Sequence, residues 1–254
     1  MIHRMSVGIC KLCNGNKKLI KAHIIPRSFT LQAKGDSKQL LEARRHDKMA
    51  VHFNQNGFWD DSILCGDCDN GFSVWDEYGF NVLRSPPDIT ALSKDQKAFI
   101  LRGIDYKLLK LFILSLLWRA SVTTHPFFVK IRLGVRENAI ALMLRNQNPG
   151  VNNDFPIVLV RLIVPEALRN SILAPRLQRT PEGILVNQLF LPSVKLMIKT
   201  STGPFPNQLN DYVLGPSSPV SMLPMPLLPK EYATVRKAAE ILRDHRDGVH
   251  KRYD

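Results

Sequence analysis

The chain has 254 residues, 44% of them hydrophobic, which is enough for one large core or two smaller ones and excludes a disordered tail. Its 35 Lys and Arg outnumber 22 Asp and Glu, and the formal charge of +13 favours a polyanionic partner, nucleic acid before an anionic membrane surface. Residues 1–60 hold eleven Lys or Arg and four acids, a net of +7, so about half of the excess sits at one end.

The first element, from Val7 to Lys21, reads as a short knuckle with Asn14-Gly15-Asn16 as its reversal, leading into a strand from Leu19 to Ile25. Pro26 ends or bends that strand, and Ser28–Ala33 can form one helical turn. The charged stretch Gly35–Met49 is expected to be loop. A second strand follows at Ala50–Phe53, then a turn at Asn54-Gln55-Asn56-Gly57. A helix is expected over Asp69–Leu83, and Ser85-Pro86-Pro87 interrupts it, because proline cannot continue a helix without losing a backbone bond. A domain boundary is placed there.

Asp95–Ser121 is the longest helical stretch, in one piece or in two around Gly103. It is apolar over more than half its surface, which makes it a central core helix. Its greasiest part, Leu111–Trp118, is too short to cross a bilayer and is flanked by Lys110 and Arg119. No apolar signal segment precedes Cys10. The expectation is a soluble, cytoplasmic protein without a membrane partner. A further helix is predicted at Val135–Arg145 and a buried strand at Ile157–Val164. Ile184–Leu191 and Val194–Thr200 read as a hairpin around Pro192-Ser193, suited to a sheet edge. Residues 215–229 carry five prolines and read as an extended surface strap, followed by a terminal helix from Lys230 to Arg246.

All four cysteines fall in two knuckles, Cys10-x-x-Cys13 and Cys65-x-x-Cys68. None is left over for a lone nucleophile, and a two-residue gap lets both sulfurs of a pair face one ion. Four thiolates satisfy the tetrahedral preference of Zn²⁺ and leave no open position for water, so the zinc is expected to be structural. His23 lies between the knuckles in Lys21-Ala22-His23-Ile24-Ile25-Pro26.

This order of motifs resembles the HNH, or His-Me finger, endonucleases: a knuckle, a strand ending in His-Ile-Ile-Pro, then Ile-Leu-Cys-x-x-Cys opening a helix. The resemblance covers residues 7–83 and implies a ββα unit with a four-cysteine treble-clef zinc. It implies His23 as the general base, since imidazole titrates near neutrality. The family's middle Asn falls on Asp60 or Asp61, and its last His or Asn on Asp69, with Asn70 beside it. Ala22 stands where many members carry an aspartate. The implied catalytic cofactor is Mg²⁺ or another divalent cation, held by Asp69 and Asn70. Lys17, Lys18, Lys21 and Arg27 flank the expected cleft and suit phosphate contacts. The expected fold class is therefore α+β, with a zinc-stapled HNH-like domain at 1–85 and a larger mixed α+β domain at 86–254. The expected function is metal-dependent hydrolysis of DNA, with RNA left open. The other reading is a catalytically inactive zinc module binding nucleic acid or a protein partner. Oligomeric state is not legible in the sequence.

Overall fold

The computed structural model describes residues 7–35, 40–45, 49–54, 56–84, 90–91, 98–201, 207–216, 219–233, 236–237 and 240. The architecture is mixed α+β. The expected boundary at residues 85–87 lies outside the described residues, as do residues 241–246 of the expected terminal helix.

In the first 84 residues the described strands pair in twos. Strands β1 (Val7–Ile9) and β2 (Asn16–Lys18) form an antiparallel hairpin whose reversal uses Asn14 at φ 59°. Asparagine tolerates this left-handed conformation better than most residues. The expected strand over Leu19–Ile25 is cut to β3 (Ala22–His23). Its residues serve two partners in turn: Leu19 bridges to Cys65, and Ala22 and His23 pair with β6 (Trp59–Asp60). Helix α1 (Arg27–Lys34) starts directly after Pro26. Proline is well placed there, where its fixed φ suits a helix start. The expected loop over residues 35–49 contains a strand instead, β4 (Leu40–Arg45), paired antiparallel with β5 (Met49–Asn54). Helix α2 (Gly66–Arg84) closes this part and begins three residues earlier than predicted.

The rest is built on a seven-stranded sheet: β7 (Thr90–Ala91), β8 (Phe99–Leu101), β9 (Ile157–Ile163), β10 (Arg176–Arg179), β11 (Leu185–Leu191), β12 (Val194–Lys199) and β13 (Val220–Pro226). The spatial order is β10-β11-β12-β9-β13-β8-β7. Two expectations are corrected here. The hairpin of β11 and β12 lies inside the sheet, because Pro192 is confined to the turn, where Ser193 takes φ 59°. The proline-rich strap is β13, parallel to β9 and antiparallel to β8. Pro224 and Pro226 lie beyond Val220–Met222, the stretch that pairs with β8.

Helix α3 (Tyr106–Val122) is the expected core helix. The expected helical residues before Gly103 are corrected: 99–101 are strand β8, and Gly103 at φ 66° makes the break. Asp105 caps α3 by accepting from the Leu108 amide at 2.9 Å. Every residue from Leu109 to Val122 is buried. Phe112 packs face to face on Phe29 of α1 and against Gly79 of α2, where an added Cβ would stand 2.2 Å from the ring. Helix α4 (Arg136–Arg145) packs on the other side of α3 and matches its prediction. A single turn, α5 (Asn207–Asn210), precedes β13.

The sheet alternates between two apolar layers. Ile157 and Leu159 of β9 face the layer that includes α3, while Val158, Val160 and Leu162 face a second cluster with Val186 and Phe190. Both faces are thus covered, which explains the unbroken apolar run of β9. The α3 layer continues without interruption from Cys10 and Phe29 to Leu196 and Met222. Among the described residues no helix is long and apolar enough to cross a membrane.

Candidate functional site

Two features converge on α2. At its first turn the four cysteines come together, with ligand atoms all within 4.8 Å of one another. Cys13 Sγ and Cys65 Sγ are 4.0 Å apart. Sulfurs bound to one tetrahedral Zn²⁺ stand about 3.8 Å apart, given Zn–S bonds of about 2.3 Å, so this cluster can hold a metal ion such as zinc. The backbone builds the site: Cys10 N–H donates to Gly15 O, Lys11 N–H to Ile63 O, and Ile20 N–H to Leu64 O, which fastens the β1–β2 knuckle to the start of α2. The Cys65 amide donates to Cys10 Sγ at 3.4 Å. Burial alone would raise the Cys10 thiol, but amides of Cys13, Cys65 and Leu12 outweigh it and bring it down to about 7. Amide donors favour thiolate, the form a metal requires. Burial pushes Cys68 up, with the other cysteines adding to the shift.

One turn further along α2, the helix lines a cavity of about 340 Å³. Asp69, Ser73, Asp76, Glu77 and Phe80 form its wall, and their spacing is that of one helical face. The opposite face, with Phe72, Trp75 and Gly79, is buried. The facing wall is His23, Pro26, Arg27 and Ser28 from the β3–α1 junction. His23 also lines a second cavity, of about 240 Å³, together with Lys21, Arg27, Thr30, Leu31, Lys34 and Asn56. The imidazole therefore stands between a wall of carboxylates and a wall of cations.

The strand alternates around His23. Ala22 is fully buried and faces the core, while His23 is half-buried and faces the cleft. Burial lowers the pKa of His23, a backbone hydrogen bond with Asn56 partly restores it, and the charges of Lys21, Arg119 and Arg27 lower it further. The shift favours the neutral ring, the form that can accept a proton. Asp69 is shifted the other way. Burial raises its pKa against the pull of Arg119, and Asp76 adds to the rise.

Arg119 of α3 fixes the geometry from behind. Its guanidinium is 1% exposed, donates to the His23 carbonyl at 2.8 Å, and grips Asp76 with two bonds of 2.9 and 2.6 Å. A bidentate fork of this kind fixes orientation as well as distance. Ser115 supplies two further acceptors, a carbonyl and a hydroxyl.

The structure brings His23, Asp69, Asn70 and Arg27 to one cavity, and Lys21 to the adjoining one. It does not bring Asp60 there. That carboxylate is 8% exposed and accepts from the Ser62 amide and hydroxyl, the Thr123 hydroxyl at 2.6 Å and the Thr124 amide. Burial would raise its pKa, but these four donors hold it below the ordinary carboxylate value. Asp61 is exposed and lines neither cavity. Lys17 pairs with Asp67 at 2.8 Å, Lys18 is exposed, and Lys21 lies over the Trp59 ring at 3.9 Å. Asp69 and Asn70 are inside α2 rather than capping it, since the Asp69 amide already donates to Cys65 O. Asn56, Glu77 and Arg119 were not marked by the sequence reading. Only Glu77 carried a signal, through its spacing from Asp69 and Ser73 on one helical face. Among the described residues no other trio of His, Cys, Asp or Glu brings ligand atoms together as closely as the cysteines do. Comparison with protein families, curated proteins and solved structures finds no match to this chain.

Proposed function

We propose that the chain is a metal-dependent endonuclease of the HNH type, with His23 as general base and the four-cysteine cluster as a structural zinc site of treble-clef form. The observation that carries this reading is the position of His23 on the shared wall of a carboxylate-lined cavity and a cationic one. Phosphodiester hydrolysis needs both surroundings. The imidazole takes a proton from water, the water oxygen forms a bond to phosphorus, and one ester P–O bond breaks to release an alkoxide, which is protonated on leaving. Asp69 and Asn70, with Glu77 nearby, are the residues that would hold a divalent cation. Mg²⁺ keeps several waters and takes only one or two carboxylates, so a loosely spaced wall suits it. When bound, the cation supplies charge stabilisation at the phosphate and the departing oxygen. The chain's own contribution is position: Asn56 and Arg119 hold His23 by its ring and its carbonyl. DNA is the proposed substrate.

Ala22 favours the second reading, a zinc module that binds nucleic acid without cutting it. It stands where many members of the resembled family carry an aspartate, and its methyl, buried on the core side, offers no ligand. Supercoiled plasmid incubated with the zinc-loaded protein and Mg²⁺ or Mn²⁺ separates the two. Nicking that disappears in His23→Ala supports the enzyme; DNA retarded on a gel but never nicked, under either metal, sinks it.

A further inference from the structure

The cavity on the cationic side of His23 has a construction of its own. Arg27, Thr30, Leu31 and Lys34 lie at positions i, i+3, i+4 and i+7 of α1, so a single face of the helix forms the wall and carries a cation at each end. Lys21 closes the rim from the approach to β3, held over the Trp59 ring at 3.9 Å. Among the described residues lining this cavity there is no carboxylate. Lys21, Arg27 and Lys34 bring positive charge to the rim of one concavity, and a phosphate seated there is attracted by it.

A separate observation points to the same ligand. Thr30 is 2% exposed, and its hydroxyl oxygen has no hydrogen-bond partner in the structure. Buried hydroxyls rarely go without one, and the shortfall is made up when a ligand supplies the acceptor. Gly57, at φ 77°, packs against that hydroxyl; a Cβ there would stand 2.7 Å from it. The adjoining carboxylate-lined cavity repels a phosphate that arrives without a cation, which directs a bare phosphate to the α1 side.

We infer that the cavity walled by Lys21, Arg27, Thr30 and Lys34 is a phosphate subsite that seats a phosphodiester of the substrate strand next to the one attacked. This rests on the nuclease reading for the word substrate, but the seat itself is a binding site and is measured without turnover. A volume of about 240 Å³ takes one phosphate with part of its sugar. The contacts are therefore to the backbone of a single strand, independent of base identity.

The test uses the full-length, zinc-loaded protein without added divalent cation and a short fluorescent single-stranded oligonucleotide, titrated at several salt concentrations. Arg27→Gln and Lys34→Gln are each expected to weaken binding about tenfold, the size of one lost charged hydrogen bond. Each also lowers the salt slope by about 0.7, as expected for one phosphate contact on a single strand. Lys130→Gln, an exposed control that lines neither cavity, leaves both quantities unchanged. Thr30→Val, nearly isosteric, weakens binding without lowering the unfolding midpoint. Salt slopes that stay at the wild-type value in both α1 variants overturn the inference. So does competition in which inorganic phosphate binds in an Arg27-dependent way while the oligonucleotide ignores the variants, which assigns the cavity to a free anion. His23-dependent nicking that persists at full rate in the α1 variants removes the subsite and leaves the nuclease. Arg27- and Lys34-dependent strand binding with no nicking removes the nuclease and leaves the phosphate seat.

Discussion

The two halves of the molecule are held together by different means. In the sheet, β11 and β12 pair over six residues, β9 pairs over five with each of β12 and β13, and apolar side chains cover both faces. Around the cleft, β1 pairs with β2 over three residues and β3 with β6 over two. A two-stranded ribbon of that length does not persist by itself in water. Besides its apolar packing against α3, the cleft region therefore depends on two fasteners, the cysteine cluster and Arg119 of α3. Its candidate site residues sit where strand pairing is shortest, a common location for sites that must admit a ligand.

The strongest way to break the comparison is to remove the first fastener. Cys65→Ser is expected to abolish amide-exchange protection in β1, β2 and β3 while β9, β11 and β12 keep theirs, because metal binding is folding free energy for so small a unit. Equal loss in both halves would show that they fold as one cooperative body. Removing the second fastener is the next largest effect. Arg119→Met leaves Asp76 and the His23 carbonyl without donors, and urea denaturation should show a loss of about 3 kcal/mol. If instead stability is unchanged and only activity falls, the clamp positions His23 without holding the fold. The smallest effect concerns pH. His23 has a folded pKa below its ordinary value near 6.5, so the unfolded chain takes up a proton first. Stability is then fully present above about 6.5 and declines as pH falls through the folded value. The cations Lys21, Arg27 and Arg119 act in that direction, with Asp69, Asp76 and Glu77 across the cavity. His23→Gln should flatten this part of the stability–pH curve, read from thermal unfolding midpoints. An unaltered curve would assign the acid sensitivity to other groups.

The cysteine cluster was legible because ligand type and two-residue spacing are local facts, and a shared ion is the simplest reason for residues 10 and 65 to meet. The core helix was legible for a similar reason: Leu111 to Trp118 is apolar but for Ser115, and such a helix has to be buried. What escaped the sequence depended on remote partners. Nothing around Arg119 signals that it will reach back to the His23 carbonyl, 96 positions earlier. Leu40–Arg45 looks like loop because Glu42, Arg44 and Arg45 break the apolar alternation, and only its pairing with β5 makes it a strand. The prolines of β13 argue against a strand inside a sheet, and only its pairing with β9 makes it one. Asp60 was marked for chemistry by its place in the motif, yet Thr123 and Thr124, far along the chain, take up one of its carboxylate oxygens.

Helix α2 carries Cys68 of the candidate metal cluster at its first turn, the cleft carboxylates along one side, and the Gly79 seat for Phe112 on the other. These three duties share one rigid screw, in which each residue advances the face by about 100°. Point substitutions can retune any of them separately. A single residue inserted or deleted between Cys68 and Asp76 would swing the far part of the helix by that angle, turning carboxylates into the core and Gly79 toward water. Natural or engineered diversification of this protein is therefore expected to vary α2 in composition while keeping its length fixed.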